Sequence, residues 1–319
     1  MRGRHTLEGL LVDPIGGAKT GALTIEEDLI VEVEYGEASS ERVIFPGFVD
    51  LHVYEPESLI AAGVTGYLQT ARAPVETTDP LCLGIHLEGP FINPQAAGAL
   101  PQDELLPVDL ELLNSWLERG DVRLVTLSPE LDFALDAVAL IAERAVAGVG
   151  HTLANEATTR AAIDVGARFA THIWNAMAPL RARTTGPVPA LLLDERVTVG
   201  VIGDGRHLHP AVEELTVRVA GPDRIALTSD RVARPLTPGN RLAGGDIAGA
   251  EVVARFARFG LAEAAAMASL VPAQLLGLTD RGRLEPGFRA DLAVLDEGLR
   301  PLETVSAGKT VWALRYPEG

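Results

Sequence analysis

At 319 residues and 47% hydrophobic content, the chain can bury a large core as one barrel or two ordinary domains, and disorder is excluded as its main theme. Its 27 Lys and Arg stand against 44 Asp and Glu, a formal net charge of -17, so no nucleic-acid or membrane partner is expected and an anionic ligand needs a local basic pocket. The single cysteine, Cys82, excludes an intrachain disulfide and a Cys-rich zinc site; with no apolar run near 18 residues and no signal-like core after MRGRH, a soluble cytoplasmic protein is expected.

Residues 1–44 read as short strands separated by turns, with LEGLLVDP and then GGAKTGALTIEEDLIVEVEYGE alternating apolar and polar positions. Apolar, β-branched runs then alternate with Ala/Leu/Glu-rich stretches. The runs are Val43 to His52, Val64 to Thr70, Cys82 to Glu88, Val122 to Leu127, Ala147 to His151, Arg168 to His172, Val197 to Asp204 and Arg224 to Asp230. Helices are predicted over Val108 to Arg119, Phe133 to Ala145, Glu156 to Val165 and Ala211 to Val219, with little room for one between the first two runs. Residues 284–319 return to strand character, with candidates Leu292 to Leu295, Pro301 to Ser306 and Val311 to Leu314. The fold class that follows is α/β: a (β/α)8 TIM-type barrel over 45–283, with residues 1–44 and 284–319 joining into one small β-sandwich domain.

Six of the eight runs end on His52, Glu88, His151, His172, Asp204 and Asp230. The C-terminal strand ends of a parallel barrel converge, so residues far apart in the chain would face one cavity there. Each alone is also what an ordinary polar strand-end residue looks like. Together, Glu88, His151 and His172 make a carboxylate and two imidazoles, a set that suits one divalent metal per subunit, Zn foremost and Fe, Co or Mn also, with a coordination position left for water. Such an ion would acidify that water and polarise an amide carbonyl. Asp230, in ALTSD, is the expected general base and acid; its other reading is a helix N-cap, which Pro235 disfavours. His52 begins the pattern His-x-Tyr54, where a second metal would want another histidine, so it is either the remnant of a second-metal site or a polar strand-end residue.

The chain resembles the N-acetylglucosamine-6-phosphate deacetylase family of the amidohydrolase superfamily. PGFVDLHV at 46–53, GVTGYLQT at 63–70, HLEGPFINPQAAGA at 86–99, the segment from GHTLANE to THIWNAM at 150–177, GDGRHLHP at 203–210, LTSD at 227–230, LAGGD at 242–246 and PAQLLGL at 272–278 carry the resemblance. HLEGPF and THIWNAM are its specific parts, whereas PGF-D-H and GRLEPGFRADLAVLD are shared more widely. The resemblance implies the same metal ligands, Asp230 as catalytic carboxylate, and substrate contacts from Ala99, Asn175, Ala176, Arg183, His207, Leu242, Ala243 and Gly244. It implies hydrolysis of the acetamide of N-acetylglucosamine 6-phosphate to glucosamine 6-phosphate and acetate, an amino-sugar phosphate as the small-molecule partner, and a homodimer in which a phosphate-binding residue comes from the neighbour.

Three departures stand out. Leu100 follows GA where the family usually has histidine, the segment Tyr54 to Leu81 is short, and only residues 231–241 separate Asp230 from Leu242. Loops at this face set specificity. The alternatives they leave open are an amidohydrolase acting on a different N-acyl sugar or small amide, and a non-catalytic ligand-binding relative.

Overall fold

The computed structural model describes residues 3–237 and 242–314. Residues 238–241 of the short link after Asp230, and 315–319 of the closing β segment, lie outside the described residues. Chain order gives β1 (Arg4–Asp13), β2 (Gly17–Glu26), β3 (Leu29–Tyr35) and β4 (Val43–Pro46); then β5 (Phe48–Val53), β6 (Val64–Ala71), β7 (Cys82–Glu88), β8 (Val122–Leu127), β9 (Val146–Val149), β10 (Ala167–Ala170), β11 (Thr198–Ile202) and β12 (Ile225–Thr228); and last β13 (Leu292–Leu295), β14 (Pro301–Ser306) and β15 (Lys309–Ala313).

Two compact units divide the chain. The first takes Met1–Asp50, Pro56–Tyr67 and Ile247–Gly319, and the second Leu51–Glu55 and Leu68–Asp246. In the first unit the two ends of the chain build one seven-stranded sheet of order β15-β14-β13-β4-β1-β2-β3. β1 and β2 form a long hairpin from Arg4 opposite Glu26 to Asp13 opposite Gly17, and β4 joins them to the C-terminal strands by pairing parallel to β1 and antiparallel to β13. Leu11, Leu23, Ile25 and Ile30 from one flank share a core with Leu292, Val294 and Val305 from the other. Neither terminal segment buries that core alone, which is why the sheet needs both.

The other sheet has eight strands in sequential order β5 to β12, and its two ends meet where Val53 bridges Arg231 in parallel; the N–H groups of Tyr54 and Glu55 both donate to the Arg231 carbonyl at 3.1 Å. This is a TIM-type barrel. Helices fill several of the predicted gaps: Leu110–Leu117, capped by the Asp109 carboxylate on the Leu112 N–H, Glu156–Asp164, capped by Asn155 on Thr158, and Pro210–Ala220, with proline in its first turn. Between β5 and β6 there is only the single turn Ile60–Ala62.

One expectation is corrected. Val43 to His52 is not a single barrel run: Val43–Pro46 belongs to the terminal sheet and Phe48–Val53 to the barrel. The chain changes sheets at Gly47, where a Cβ would lie 2.1 Å from Thr65 Oγ1, so only glycine allows so close a crossing.

Candidate active site

The polar residues at the barrel mouth follow a rule finer than strand-end placement. His151, His172, Asp204 and Asp230 each sit two residues beyond the last residue of β9, β10, β11 and β12, and Glu88 is the last residue of β7. His151, His172 and Asp230 also adopt left-handed backbone angles, with φ of 49°, 31° and 48°. That conformation costs a non-glycine residue about 1–2 kcal/mol, and such strain collects where a side chain must be aimed. Local bonds hold it: the Asn175 N–H donates to the His172 carbonyl at 3.0 Å, and the Gly245 N–H to that of Asp230 at 2.8 Å.

The side chains converge. Glu88 Oε1 lies 3.0 Å from His151 Nε2 and 2.9 Å from His172 Nε2, and the two imidazole nitrogens are 3.1 Å apart. Three donors held at a tetrahedral ion by bonds of 2.0–2.1 Å would stand about 3.3 Å apart, so a small outward movement suffices. The tautomer of His151 agrees as well. His151 Nδ1 is 2.9 Å from the Ala96 carbonyl, which requires its proton there and leaves the Nε2 lone pair for the centre. Burial lowers the pKa of His172 to about 4, which keeps it neutral as a ligand must be. Burial pushes Glu88 up, but His52 and its bonds to the two histidines outweigh this and hold it well below the usual carboxylate range. The donor set fits a divalent ion.

Burial raises Asp230 to about 7. Its Oδ1 lies 3.2 Å from His52 Nε2, which also stands 3.4 Å from Glu88 Oε2. Donor atoms of His52, Glu88 and His172 all lie within 4.8 Å of one another, so His52 joins the cluster. Sequence reasoning set Tyr54 aside as a poor ligand and missed what it does: its hydroxyl donates to Glu88 Oε2. The cue was its position two residues after His52 and directly after the end of β5, where an extended chain would keep both side chains on one face.

A cavity of about 360 Å³ contains Glu88, His151, His172 and Asp230, and is also lined by Ala99, Asn175, Ala176, His207, Leu242 and Ala243, the residues that the resemblance assigns to substrate. His207 is oriented by Asp204, whose Oδ2 accepts the Nδ1 proton at 2.8 Å. Leu100 lines the cavity too, as does Arg72, which sequence reasoning did not single out. Two assigned residues are not among the lining. Gly244 lies against the backbone of Asp230, where a Cβ would meet the Asp230 carbonyl oxygen at 2.5 Å, so its role is to let that close approach occur. Arg183 lines a separate cavity of about 590 Å³ with Arg181, Asn155 and Glu156.

Residues 152–311 match the model of the amidohydrolase family. The chain is 36% identical to the zebrafish (Danio rerio) N-acetylglucosamine-6-phosphate deacetylase over 72% of its own length and 66% of that protein's. It is 30% identical to the N-acetylgalactosamine-6-phosphate deacetylase of Escherichia coli O157:H7, over 94% of this chain and 95% of that one. A mutant N-acetyl-D-glucosamine-6-phosphate deacetylase from Mycobacterium smegmatis, solved in complex with N-acetyl-D-glucosamine-6-phosphate, superposes with a TM-score of 0.87 at 30% identity, covering 97% of this chain and 99% of that one. By its strand-end carboxylate and histidines, its two sheets and these likenesses along nearly its whole length, the chain belongs to the N-acetylglucosamine-6-phosphate deacetylase family of amidohydrolases.

Proposed function

We propose that the chain hydrolyses the acetamide of N-acetylglucosamine 6-phosphate to glucosamine 6-phosphate and acetate. The carrying observation is the convergence of Glu88, His151 and His172 on one point, with Asp230 in the same cavity. The M. smegmatis relative, solved with that sugar phosphate, supports the choice of substrate. Glu88, His151 and His172 would hold one divalent ion, with Zn the first choice for a carboxylate and two imidazoles and Fe, Co or Mn also accommodated. When bound, the ion supplies Lewis acidity that acidifies a water and polarises the acetamide carbonyl.

The protein's own residues do the rest. Asp230 accepts the proton of the attacking water and returns it to the departing nitrogen, which leaves readily only as a neutral amine. His52, 3.2 Å from its Oδ1, fixes the carboxylate for both transfers. His207, locked by Asp204, and the backbone around Asn175 and Ala176 orient the sugar phosphate. Arg72, which also lines the cavity, is paired with Glu104, so a substrate phosphate would share its guanidinium with that carboxylate. We assign a homodimer in the cytoplasm; Arg183, in its separate cavity, is the candidate to reach a neighbouring subunit's phosphate.

Incubating the zinc-loaded protein with N-acetylglucosamine 6-phosphate should release acetate stoichiometrically with free amine, and no release would overturn the assignment. A second reading keeps the centre and changes the acyl sugar. It is favoured by Leu100 in the cavity wall and by the likeness to a galactosamine-type deacetylase. The same assay across N-acetylated sugar phosphates decides between them.

A further inference from the structure

We propose that Glu55 is a specificity-determining residue whose carboxylate accepts a hydrogen bond from a ring hydroxyl of the sugar. The inference rests on the sugar-phosphate reading above. The charged side chains that line the cavity beside the histidines are Glu55, Arg72, Glu88 and Asp230. All but Glu55 are engaged within the protein: Arg72 pairs with Glu104, Glu88 takes the Tyr54 hydroxyl and meets His151 and His172, and Asp230 faces His52. Among the described residues the Glu55 carboxylate has neither a hydrogen bond nor an ion pair.

Its place is nevertheless fixed. Glu55 follows Tyr54 just past the end of β5, and its N–H donates to the Arg231 carbonyl at 3.1 Å, so its half-buried side chain is carried by backbone tied to the segment after Asp230. An acceptor held in the wall without a protein partner is preorganised for a donor from the ligand.

The donor is a neutral hydroxyl. Like-charge repulsion penalises a phosphate set against an unpaired carboxylate, so the phosphate lies elsewhere in the cavity. A hexosamine 6-phosphate has hydroxyls on C1, C3 and C4, and each one taken out of water needs a partner. Leu100, Pro101, Ile202, Val232 and Leu242 bring no polar side chain to this cavity, whereas Glu55 brings a free acceptor. A hydrogen bond to a charged group is worth about 10–100-fold in binding, enough to set a preference between sugars that differ at one hydroxyl.

The test is a cycle between residue and substrate, run on the zinc-loaded full chain. Acetate release is measured from N-acetylglucosamine 6-phosphate and its 1-, 3- and 4-deoxy analogues by the wild type, Glu55→Ala and Glu55→Gln, with circular dichroism confirming that each variant is folded. In the wild type, one analogue should lose about 10–100-fold in kcat/KM relative to the parent sugar. Glu55→Ala should raise KM for the parent by about the same factor, and loss of that hydroxyl should then cost it less than about threefold, because the contact is already gone. Glu55→Gln, which keeps the shape and a weaker acceptor, should fall between. A side chain that only shapes the wall would penalise the parent and every analogue alike, so deoxy losses that are equal in the wild type and Glu55→Ala would overturn the inference. An unchanged or lowered KM in Glu55→Ala, the mark of a carboxylate that only repels the phosphate, would do the same. Both results leave the hydrolase reading standing, whereas a wild type that releases no acetate from any of these sugars sinks both.

Discussion

The imidazole of His86 lies edge-on to that of His52, with ring centroids 4.6 Å apart and planes crossing at 74°. His86 is fully buried and holds its ring by both nitrogens: Nδ1 is 3.0 Å from the Leu51 carbonyl and Nε2 2.7 Å from the Thr126 hydroxyl. Only a protonated Nδ1 satisfies the carbonyl, so Nε2 accepts from Thr126, whose oxygen in turn takes the Thr171 proton at 2.6 Å. Burial keeps this ring well below its ordinary pKa and therefore neutral. The chain of bonds thus fixes the ring that stands edge-on to His52. Replacing His86→Leu takes the ring partner from the Leu51 carbonyl and leaves the Thr126 hydroxyl only its bond to Thr171, at about 1–3 kcal/mol for a buried group left without its partner. We expect a clear fall in the urea-unfolding midpoint and slower acetate release as His52 loses its backing. Unchanged stability would mean that this network holds nothing.

Removing the Asp230 carboxylate without changing its shape isolates proton transfer. Asp230→Asn should lower kcat for acetate release by about 10²–10⁴, the usual worth of a positioned acid–base group, with KM altered little. Retention of full turnover by this variant would remove Asp230 from the reaction.

The ligand set makes a separate demand. Treatment with a chelator should stop acetate release and re-addition of zinc should restore it, whereas Glu88→Gln should bind zinc far more weakly, since the amide brings no charge to the ion. Activity that survives exhaustive chelation in the wild type would exclude a dissociable ion as the reagent.

How far the sequence anticipates this site depends on what each residue needs. Glu88, His151, His172 and Asp230 are legible because parallel strand ends converge, whatever the details of the loops. Tyr54 and Arg72 are not, because their parts depend on which oxygen of Glu88 faces which wall and on where the mouth opens, and no spacing encodes that. Gly244 reads as a substrate turn in a motif, yet its place is set by the backbone of Asp230. Likewise the run from Val43 to His52 conceals a change of sheet, which the strand order and the close approach of Gly47 to Thr65 reveal. Arg183 was placed at the substrate by motif alone; within this chain it lines another cavity.

Leu100 offers the sharpest test of substrate identity. It lines the same cavity as Tyr54 and Arg72, at a position where the family resemblance implies a histidine. If N-acetylglucosamine 6-phosphate is the substrate, Leu100→His should raise kcat/KM by about tenfold through one added polar contact. No gain on that sugar, together with faster cleavage of another N-acyl compound by the wild type, would favour the second reading.

The terminal sheet carries its own pH dependence. Asp13, at the end of β1, is 2% exposed; burial alone would raise its pKa, but the Arg283 guanidinium and the N–H groups of Gly16 and Leu284 outweigh burial and hold the carboxyl below its ordinary value. A folded-state pKa below the unfolded value, about 3.9, means that the ionised group stabilises the fold above that pH and that this contribution is lost as pH falls through the folded value. Asp13→Asn leaves Arg283 with Glu285 as its remaining carboxylate partner and weakens the bonds that Asp13 accepts, which should cost about 1–3 kcal/mol near neutrality. The gap between wild type and variant should then narrow as the pH drops below about 4, because the wild type loses by protonation what the variant lacks throughout. Denaturant unfolding of both proteins from pH 7 to pH 3 measures it. A gap that stays constant across that range would show that Asp13 stabilises through shape and hydrogen bonding alone, with no part played by its charge.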